Sequence, residues 1–189
     1  HYDRRQTVAQ EQFESSADTY SASASAVSKK AWQKINGKCY NGSGKVIPGA
    51  ITRGIDVSEW QETINWAKVK KSDVDFAFVR IAHGIKYQDK NFDYNMKQAE
   101  LAGVPVGTYV YSTATNTAGA LKEAQLDIKK MKGYKVSYPV AYDLEDEKLE
   151  KLSPRTISRM ALAFCNEIRQ AGYYPIIYCN TYWYDYHID

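Results

Sequence analysis

Residues 138–147 read Tyr-Pro-Val-Ala-Tyr-Asp-Leu-Glu-Asp-Glu, a short apolar run that leads directly into acidic residues. The run before Asp143 has the character of a buried strand. Side chains alternate along a strand, so Asp143 and Glu145 are predicted to point to one side, about 6–7 Å apart, and Leu144 to the other. Two carboxyls that point to one place repel each other, which raises the proton affinity of at least one of them.

Short apolar runs of this kind alternate with amphipathic stretches over residues 51–189. Ser153-Pro154 predicts the N-cap and first residue of a helix, and Gly103 and Gly172 stand where helix ends are expected. The apolar periodicity predicts strands at 53–57, 75–82, 105–111, 138–144 and 175–179, and helices near 65–71, 92–102, 117–131 and 154–171.

Repeated alternation of strand and helix with short connections implies a parallel sheet covered by helices. Such a sheet is either open and doubly wound or closed into a barrel. No glycine-rich phosphate loop follows the first strand, and polar residues end several strands, which is typical of a barrel with its active site at that end. We therefore predict an α/β fold, an irregular TIM-like β/α barrel.

The predicted barrel is short of residues. Residues 53–189 supply 137 positions and five strands, whereas a closed barrel usually takes about 200 residues or more. We expect the last strands to be absent from this chain, so that a further C-terminal segment or a second chain completes the barrel.

The N-terminal part differs from the rest in composition. Residues 1–30 are polar and rich in Ser and Ala, which predicts a tether or a loosely packed helix. Residues 31–50 contain Asn36-Gly37, a strong hairpin signal. They form either a plain linker hairpin or a weak match to the aromatic-hairpin repeats of bacterial cell-wall-binding modules. Residues 51–189 form the main domain.

Composition excludes several functions. Residues 1–52 hold seven Lys/Arg and four Asp/Glu, and residues 53–189 hold eighteen of each. A main domain without excess positive charge argues against nucleic acid as a partner. No apolar run is long enough to span a membrane. The three cysteines are too few for a disulfide framework and their spacing fits no metal site; Cys165 and Cys179 are interpreted as small buried apolar fillers, with a disulfide between them as the alternative.

Further polar residues lie at or near the predicted strand ends. Asp56 either caps the next helix or approaches Asp143 and Glu145 across the barrel mouth. Buried arginine needs a carboxylate partner, so Arg80 is predicted to form an ion pair, with substrate contact as the less favoured role. An acidic loop that caps the next helix is the alternative for residues 143–150, and it is preferred for Glu147 and Glu150.

Three tyrosines are candidates for ligand contact. Tyr109 and Tyr111 share one side of their strand, and Tyr178 ends the fifth strand. Tyrosine rings at strand ends can stack on sugar rings and donate hydrogen bonds, while core packing is the alternative for Tyr109. The histidines His1, His83 and His187 show no partner spacing and are given no role.

Several motifs, taken together and in order, resemble glycoside hydrolase family 25, the Chalaropsis-type lysozymes, over about residues 51–186. They are Gly54-Ile55-Asp56-Val57-Ser58 with Trp60-Gln61, Ile64-Asn65-Trp66, Asp75-Phe76-Ala77-Phe78-Val79-Arg80, Asp89 with Phe92, Ala102 to Tyr109, Asp143-Leu144-Glu145 and Ala171 to Tyr178.

This resemblance implies a secreted or cell-wall-associated muramidase that cleaves the β-1,4 bond between N-acetylmuramic acid and N-acetylglucosamine of bacterial peptidoglycan. It implies Glu145 as general acid, Asp143 as the assisting carboxylate and Asp56 as the acidic residue of the first strand, without a metal or organic cofactor. The nucleophile is either the substrate's acetamido oxygen or an activated water. The competing hypotheses are a non-catalytic glycan-binding barrel fragment and another barrel glycosidase such as a chitinase.

Overall fold

The predicted alternation of strands and helices is present in the computed structural model, which describes residues 32–189. The predicted tether at 1–30 lies outside the described residues. The elements in chain order are β1 (Gln33–Ile35), β2 (Lys38–Tyr40), β3 (Gly54–Val57), α1 (Trp66–Lys71), β4 (Phe76–His83), β5 (Tyr87–Gln88), α2 (Phe92–Leu101), β6 (Val106–Tyr111), α3 (Thr117–Met131), β7 (Val140–Asp143), α4 (Pro154–Gln170), β8 (Pro175–Tyr178) and α5 (Thr181–His187).

The chain divides into two compact units, of which the smaller contains described residues 32–54 and 67–75. Its β1 and β2 pair antiparallel around a turn at Asn36-Gly37. Both turn residues have positive φ, 50° and 74°, as the two-residue hairpin turn predicted there requires. An ion pair of 2.9 Å between Lys34 Nζ and Asp75 Oδ1 ties the hairpin to the end of this unit.

The larger unit contains residues 55–66 and 76–189. Its sheet has the strand order β3-β4-β6-β7-β8, and β5 pairs antiparallel with β4. The pairs β4–β6, β6–β7 and β7–β8 are parallel, which confirms the predicted α/β class. Among the described residues no pairing joins β8 to β3, so closure of the barrel is not seen.

Helix α4 covers the outer side of β7. Its inward stripe, Ile157, Met160, Ala161, Phe164 and Ile168, follows the helical period and is buried. The Phe164 ring stacks on the Tyr142 ring at 4.1 Å between centroids. Because neighbouring side chains alternate along β7, anchoring Tyr142 among the helices turns Asp143 to the other side of the sheet.

The predicted helix ends of α4 are present. The Ser153 side chain accepts the Thr156 N–H, Pro154 occupies the first turn, and Gly172 follows the helix with φ 89°. Positive φ is a conformation that glycine adopts without steric cost, so the helix stops there.

Three features were not predicted: the two-residue β5, a pair of 3-10 helices at Glu59–Gln61 and Glu147–Lys151, and helix α5. Helix α5 forms because the Asn180 side chain accepts the Trp183 N–H, and Trp183 is only 1% exposed. Trp183 is thus part of the core, whereas Tyr184 and Tyr186 on the same helix are exposed.

The three cysteines are free thiols. Cys39 is buried, whereas Cys165 and Cys179 are only partly covered, so the interpretation of these two as buried fillers is wrong. Both lie at the margin of the core. Cys165 is in α4, and Cys179 directly follows β8.

Within residues 32–189, no helix combines the length and apolar character that crossing a bilayer requires.

Candidate active site

Four residues from four neighbouring strands form one row at the carboxyl ends of the sheet. The strand register pairs His83 of β4 with Tyr111 of β6, Tyr111 with Asp143 of β7, and Asp143 with Tyr178 of β8. Each is the last residue of its strand. Polar and aromatic side chains are thus gathered at the edge where ligands bind in parallel α/β sheets.

A second row lies below the first and includes Arg80 and Tyr109, which are paired across β4 and β6. The register shifts between Arg80 and Ala82. Such an irregularity re-aims side chains, since an unbroken strand would send Arg80 and His83 to opposite sides. In agreement, the positive charge of Arg80 lowers the pKa of His83 and acts on Asp143.

Asp143 is a strongly perturbed carboxyl of the site. Its side chain is buried, and its Oδ1 has no hydrogen-bond partner among the described residues. Burial raises the pKa of Asp143 well above its ordinary value, the charges of Glu145 and Asp56 raise it further, and Arg80 opposes them. Asp143 is therefore reluctant to ionise and lacks a partner for one oxygen.

Glu145 lies two residues beyond the end of β7 and is half-buried. Its Oε1 accepts the backbone N–H of Asn180 at 2.6 Å. Its charge raises the pKa of Asp143, Tyr178 and Cys179, which places its carboxyl beside the ends of β7 and β8. The predicted proximity of Asp143 and Glu145 is thus present.

Asp56 belongs to β3 and faces the same groups. Its charge raises the pKa of Asp143, Tyr109 and Tyr178. Solvent reaches Asp56, yet protein atoms around its carboxyl displace enough water to raise its own pKa. The three acidic residues proposed from the sequence therefore interact electrostatically. The alternative, capping of the next helix, belongs instead to Ser58, whose side chain accepts the Trp60 N–H.

Arg80 is buried and paired, in line with the predicted ion pair. Its Nε lies 2.9 Å from Asp89 Oδ2, and its Nη2 lies 3.0 Å from Glu59 Oε1. Tyr87 donates to Glu59 Oε2 at 2.6 Å. Two carboxylates offset the cost of burying the guanidinium, and the group is held beside the site as a fixed positive charge.

The three tyrosines differ in exposure. Tyr109 is half-buried, and burial raises the pKa of its hydroxyl. Tyr178 is 56% exposed, and burial of its hydroxyl together with the charges of Glu145, Asp143 and Asp56 raises its pKa to about 12. Tyr111 is half-buried and meets the His83 ring edge-on at 4.6 Å between centroids. All three lie within the two rows.

Two residues of the site were missed by the sequence analysis. His83 was given no role, yet its Nε2 lies 3.8 Å from Asp146 Oδ2. Burial is the main cause that lowers the pKa of His83, and the positive charge of Arg80 lowers it further. His83 is the last residue of its strand, and the same position at a strand end was the reason for choosing Tyr178. Asn180 directly follows the fifth predicted strand. Its value as an N-cap was the available signal, whereas its N–H bond to Glu145 was not readable from sequence.

The cap in this loop is Asp146 rather than Glu147 or Glu150, for which the capping interpretation was preferred, and the next helix, α4, is capped by Ser153. Asp146 Oδ1 accepts the Lys148 N–H at 2.9 Å and so caps the short 3-10 helix, on which Glu147 and Glu150 are exposed. Across residues 32–189, no group of three His, Cys, Asp or Glu side chains is arranged to hold a metal ion.

Known proteins are similar to this chain in sequence or in fold. Lysozyme M1 from Streptomyces globisporus is 37% identical over 67 residues, 35% of this chain and 23% of that protein. The modular autolysin LytC from Streptococcus pneumoniae, solved in complex with a synthetic peptidoglycan ligand, matches with TM-score 0.72 and 27% identity over 82% of this chain and 39% of LytC. A family 25 glycosyl hydrolase from Bacillus anthracis matches with TM-score 0.66 and 22% identity over 76% of this chain and 67% of its own.

The chain spans less than half the length of Lysozyme M1 and of LytC. The family model described as glycosyl hydrolases family 25 matches residues 55–189, which include every candidate site residue named above. Because this match covers most of the sequence and the fold agrees with solved members, the chain belongs to glycosyl hydrolases family 25, the family predicted from its sequence.

Proposed function

We propose that this protein is a peptidoglycan hydrolase, a muramidase that cleaves the β-1,4 bond between N-acetylmuramic acid and N-acetylglucosamine. The observation that carries the proposal is the pair of interacting carboxyls at the end of β7, where Asp143 is buried and Glu145 is half-buried. Glycosidic cleavage uses two carboxyls whose environments separate their proton affinities. Family membership and the peptidoglycan ligand bound by LytC support the same substrate.

Glu145 serves as the general acid in this proposal. Its half-exposed carboxyl can reach a glycosidic oxygen, whereas Asp143 lies deeper. The proton passes from Glu145 to the leaving oxygen as the bond from that oxygen to the anomeric carbon breaks. The two carboxyls titrate as a coupled pair, and the singly protonated pair is the active form.

Asp143 assists the reaction by orienting the substrate. Its Oδ1 is buried with no partner among the described residues, and an unpaired buried acceptor costs about 1–3 kcal/mol. The acetamido N–H of the sugar supplies the missing donor. The acetamido oxygen, held in this way, forms a bond to the anomeric carbon as the leaving group departs, and water later opens the resulting ring and returns a proton to Glu145. In the alternative inverting route, water attacks directly.

Sugar rings are bound by the aromatic side chains of the two rows. Tyr178 is exposed and neutral at ordinary pH, so it can donate a hydrogen bond and stack on a pyranose. Tyr109 and Tyr111 line the site beside it, and Asp56 adds a third carboxyl. Arg80 contributes through its fixed charge.

Three wider features belong to the same proposal. The sheet forms part of an irregular barrel, supported by the match to family 25 structures. The protein works outside the cell or at the cell wall, where peptidoglycan lies, and the hairpin of residues 31–50 contacts the wall. In support of the last point, Trp32 is 56% and Ile35 44% exposed on this hairpin.

Clearing of bacterial cell-wall suspensions tests the proposal, with chitin as a parallel substrate. We expect turbidity of the walls to fall, chitin to remain intact, and new reducing ends to form on muramic acid. Glu145→Gln should abolish these products and keep wall binding. Binding without any cleavage by the wild-type protein would favour the non-catalytic alternative, and cleavage of chitin at a similar rate would favour a chitinase.

A further inference from the structure

The hydrogen bonding between the ends of β7 and β8 changes at Glu145 from backbone–backbone to backbone–side chain. The N–H of Leu144 donates to the carbonyl of Tyr178 at 3.0 Å, as the main-chain ladder requires. In a regular parallel ladder the next donor, the N–H of residue 180, bonds to the carbonyl of residue 144. Here that N–H instead donates to the Glu145 side chain, Oε1, at 2.6 Å.

Asn180 is held from the other side as well. Its Oδ1 accepts the N–H of Trp183 at 3.1 Å, and Trp183 is almost wholly buried. The backbone at Asn180 is therefore fixed between the end of β8 and the first turn of α5. A donor fixed in this way determines the position of whatever oxygen it bonds to.

We propose that the backbone N–H of Asn180 is a positioning group for the acid: it holds Glu145 Oε1 and thereby assigns the transferable proton to Oε2. This inference rests on the proposed function of Glu145. A protonated carboxyl has one carbonyl oxygen and one hydroxyl, and an oxygen that accepts an N–H is the carbonyl oxygen. When the Oε2–H bond breaks and the proton moves to the leaving group, negative charge develops on the carboxyl, and the N–H bond becomes charge-assisted.

The donor therefore acts twice. It orients the acid before reaction, and it stabilises the carboxylate that proton transfer creates, as donors to developing oxyanions do. The titratable groups that face this carboxyl include Asp143, Tyr178 and Cys179, with Asp56 next to them. Each of these remains in place when only the N–H is removed.

Asn180→Pro removes the N–H and suits the backbone, because Asn180 has φ −77° and proline prefers about −65°. We expect kcat/KM on cell walls to fall about 10–100-fold, and the alkaline limb of the pH profile to move to higher pH, since a donor that favours the charged carboxyl is lost. Asn180→Ala loses the helix cap and keeps the N–H. Its loss should be at least about tenfold smaller, with the alkaline limb unmoved.

Ser153→Pro is the matched control, because Ser153 caps α4 with φ −69° and is exposed. It loses a cap and an N–H away from the acid, so activity should stay at the wild-type level. Equal activities and pH profiles for Asn180→Pro and Asn180→Ala would overturn the inference.

Nuclear magnetic resonance tests the bond without any risk to folding. The amide proton of residue 180 in the wild-type chain should titrate together with the alkaline limb of activity, and this titration should vanish in Glu145→Gln. A flat amide signal overturns the inference alone if Glu145→Gln is inactive. Full activity of Glu145→Gln instead overturns the proposed function, whatever the amide does.

Discussion

Two pairs of acidic residues in this chain each contain a buried carboxyl with a raised pKa, and the pairs differ in their access to solvent. Asp143 and Glu145 are two residues apart at a strand end, and Glu123 and Asp127 are four residues apart on α3. Both spacings place two carboxyls on one face. Burial is the largest cause of the raised pKa of Asp143, Glu123 and Asp127.

The helical pair is closed off from solvent. Glu123 accepts Ser112 Oγ and Tyr142 OH, both at 2.8 Å, and the N–H groups of Thr113 and Ala114. It thereby fastens α3 to the loop that follows β6. Asp127 is fully buried, and neither oxygen has a partner among the described residues.

The strand pair differs because it opens to solvent. Glu145 is half-buried, Asp56 is accessible, and a row of aromatic side chains lies beside them. A raised pKa in a carboxyl thus marks burial in both places, and only access to a ligand separates a candidate active site from a strained core. Four substitutions sharpen or break this distinction.

Glu145→Gln should have the largest effect. The amide keeps the shape of the side chain and cannot donate the required proton, so kcat/KM on cell walls should fall about 10²–10⁴-fold. Glu147→Gln, an exposed acid of the same loop, is the control and should match the wild type. Activity of Glu145→Gln within about threefold of wild type, with normal unfolding, would remove Glu145 from the role of acid.

Asp143→Asn should lower activity nearly as much, about 10²-fold, because the acetamido group loses its orienting carboxyl. The alkaline limb of the pH profile should move to lower pH, since the like charge that holds the last proton on the pair is gone. The folded pKa of Asp143 is raised, so its own contribution to stability is complete below about pH 4 and is lost as pH rises toward the folded value; the variant should lose this pH dependence. Superimposable pH profiles would show that the two carboxyls are not coupled.

Asp127→Asn should change stability and leave activity intact. The folded pKa of Asp127 is raised, so its contribution is complete below about pH 4 and is lost as pH rises toward the folded value. The variant should match the wild type near pH 4 and exceed its free energy of unfolding by about 1–3 kcal/mol at pH 7. Urea unfolding at the two pH values measures this. A loss of wall cleavage in a stable variant would erase the distinction between the two pairs.

Tyr178→Phe should have the smallest effect. With a pKa of about 12 the hydroxyl stays protonated through the assay range and acts as a donor. Its removal should raise KM about two- to fivefold at unchanged kcat, as loss of one exposed hydrogen bond predicts. Tyr174→Phe, on an exposed tyrosine outside the rows, should leave both constants unchanged. A fall in kcat alone for Tyr178→Phe would move this hydroxyl from binding to the chemical step.

The amino-acid sequence by itself determined the longer strands and helices of residues 51–179 and most of the chemistry that the strand ends carry. Period-two alternation at Asp143 and Glu145, the Ser153-Pro154 cap and the apolar stripe of α4 are local properties, set by backbone geometry within a few residues. Family membership was readable for a similar reason, since the motifs keep their order and spacing along the chain.

Only the tertiary structure decided which of these groups meet. The row from His83 to Tyr178 depends on the register between strands, and the irregularity near Ile81 that aims Arg80 and His83 to one side depends on pairing with β6. The bond from Asn180 to Glu145 joins residues 35 positions apart. Register, burial and such bonds are set by packing between distant segments, for which a single sequence holds no local pattern.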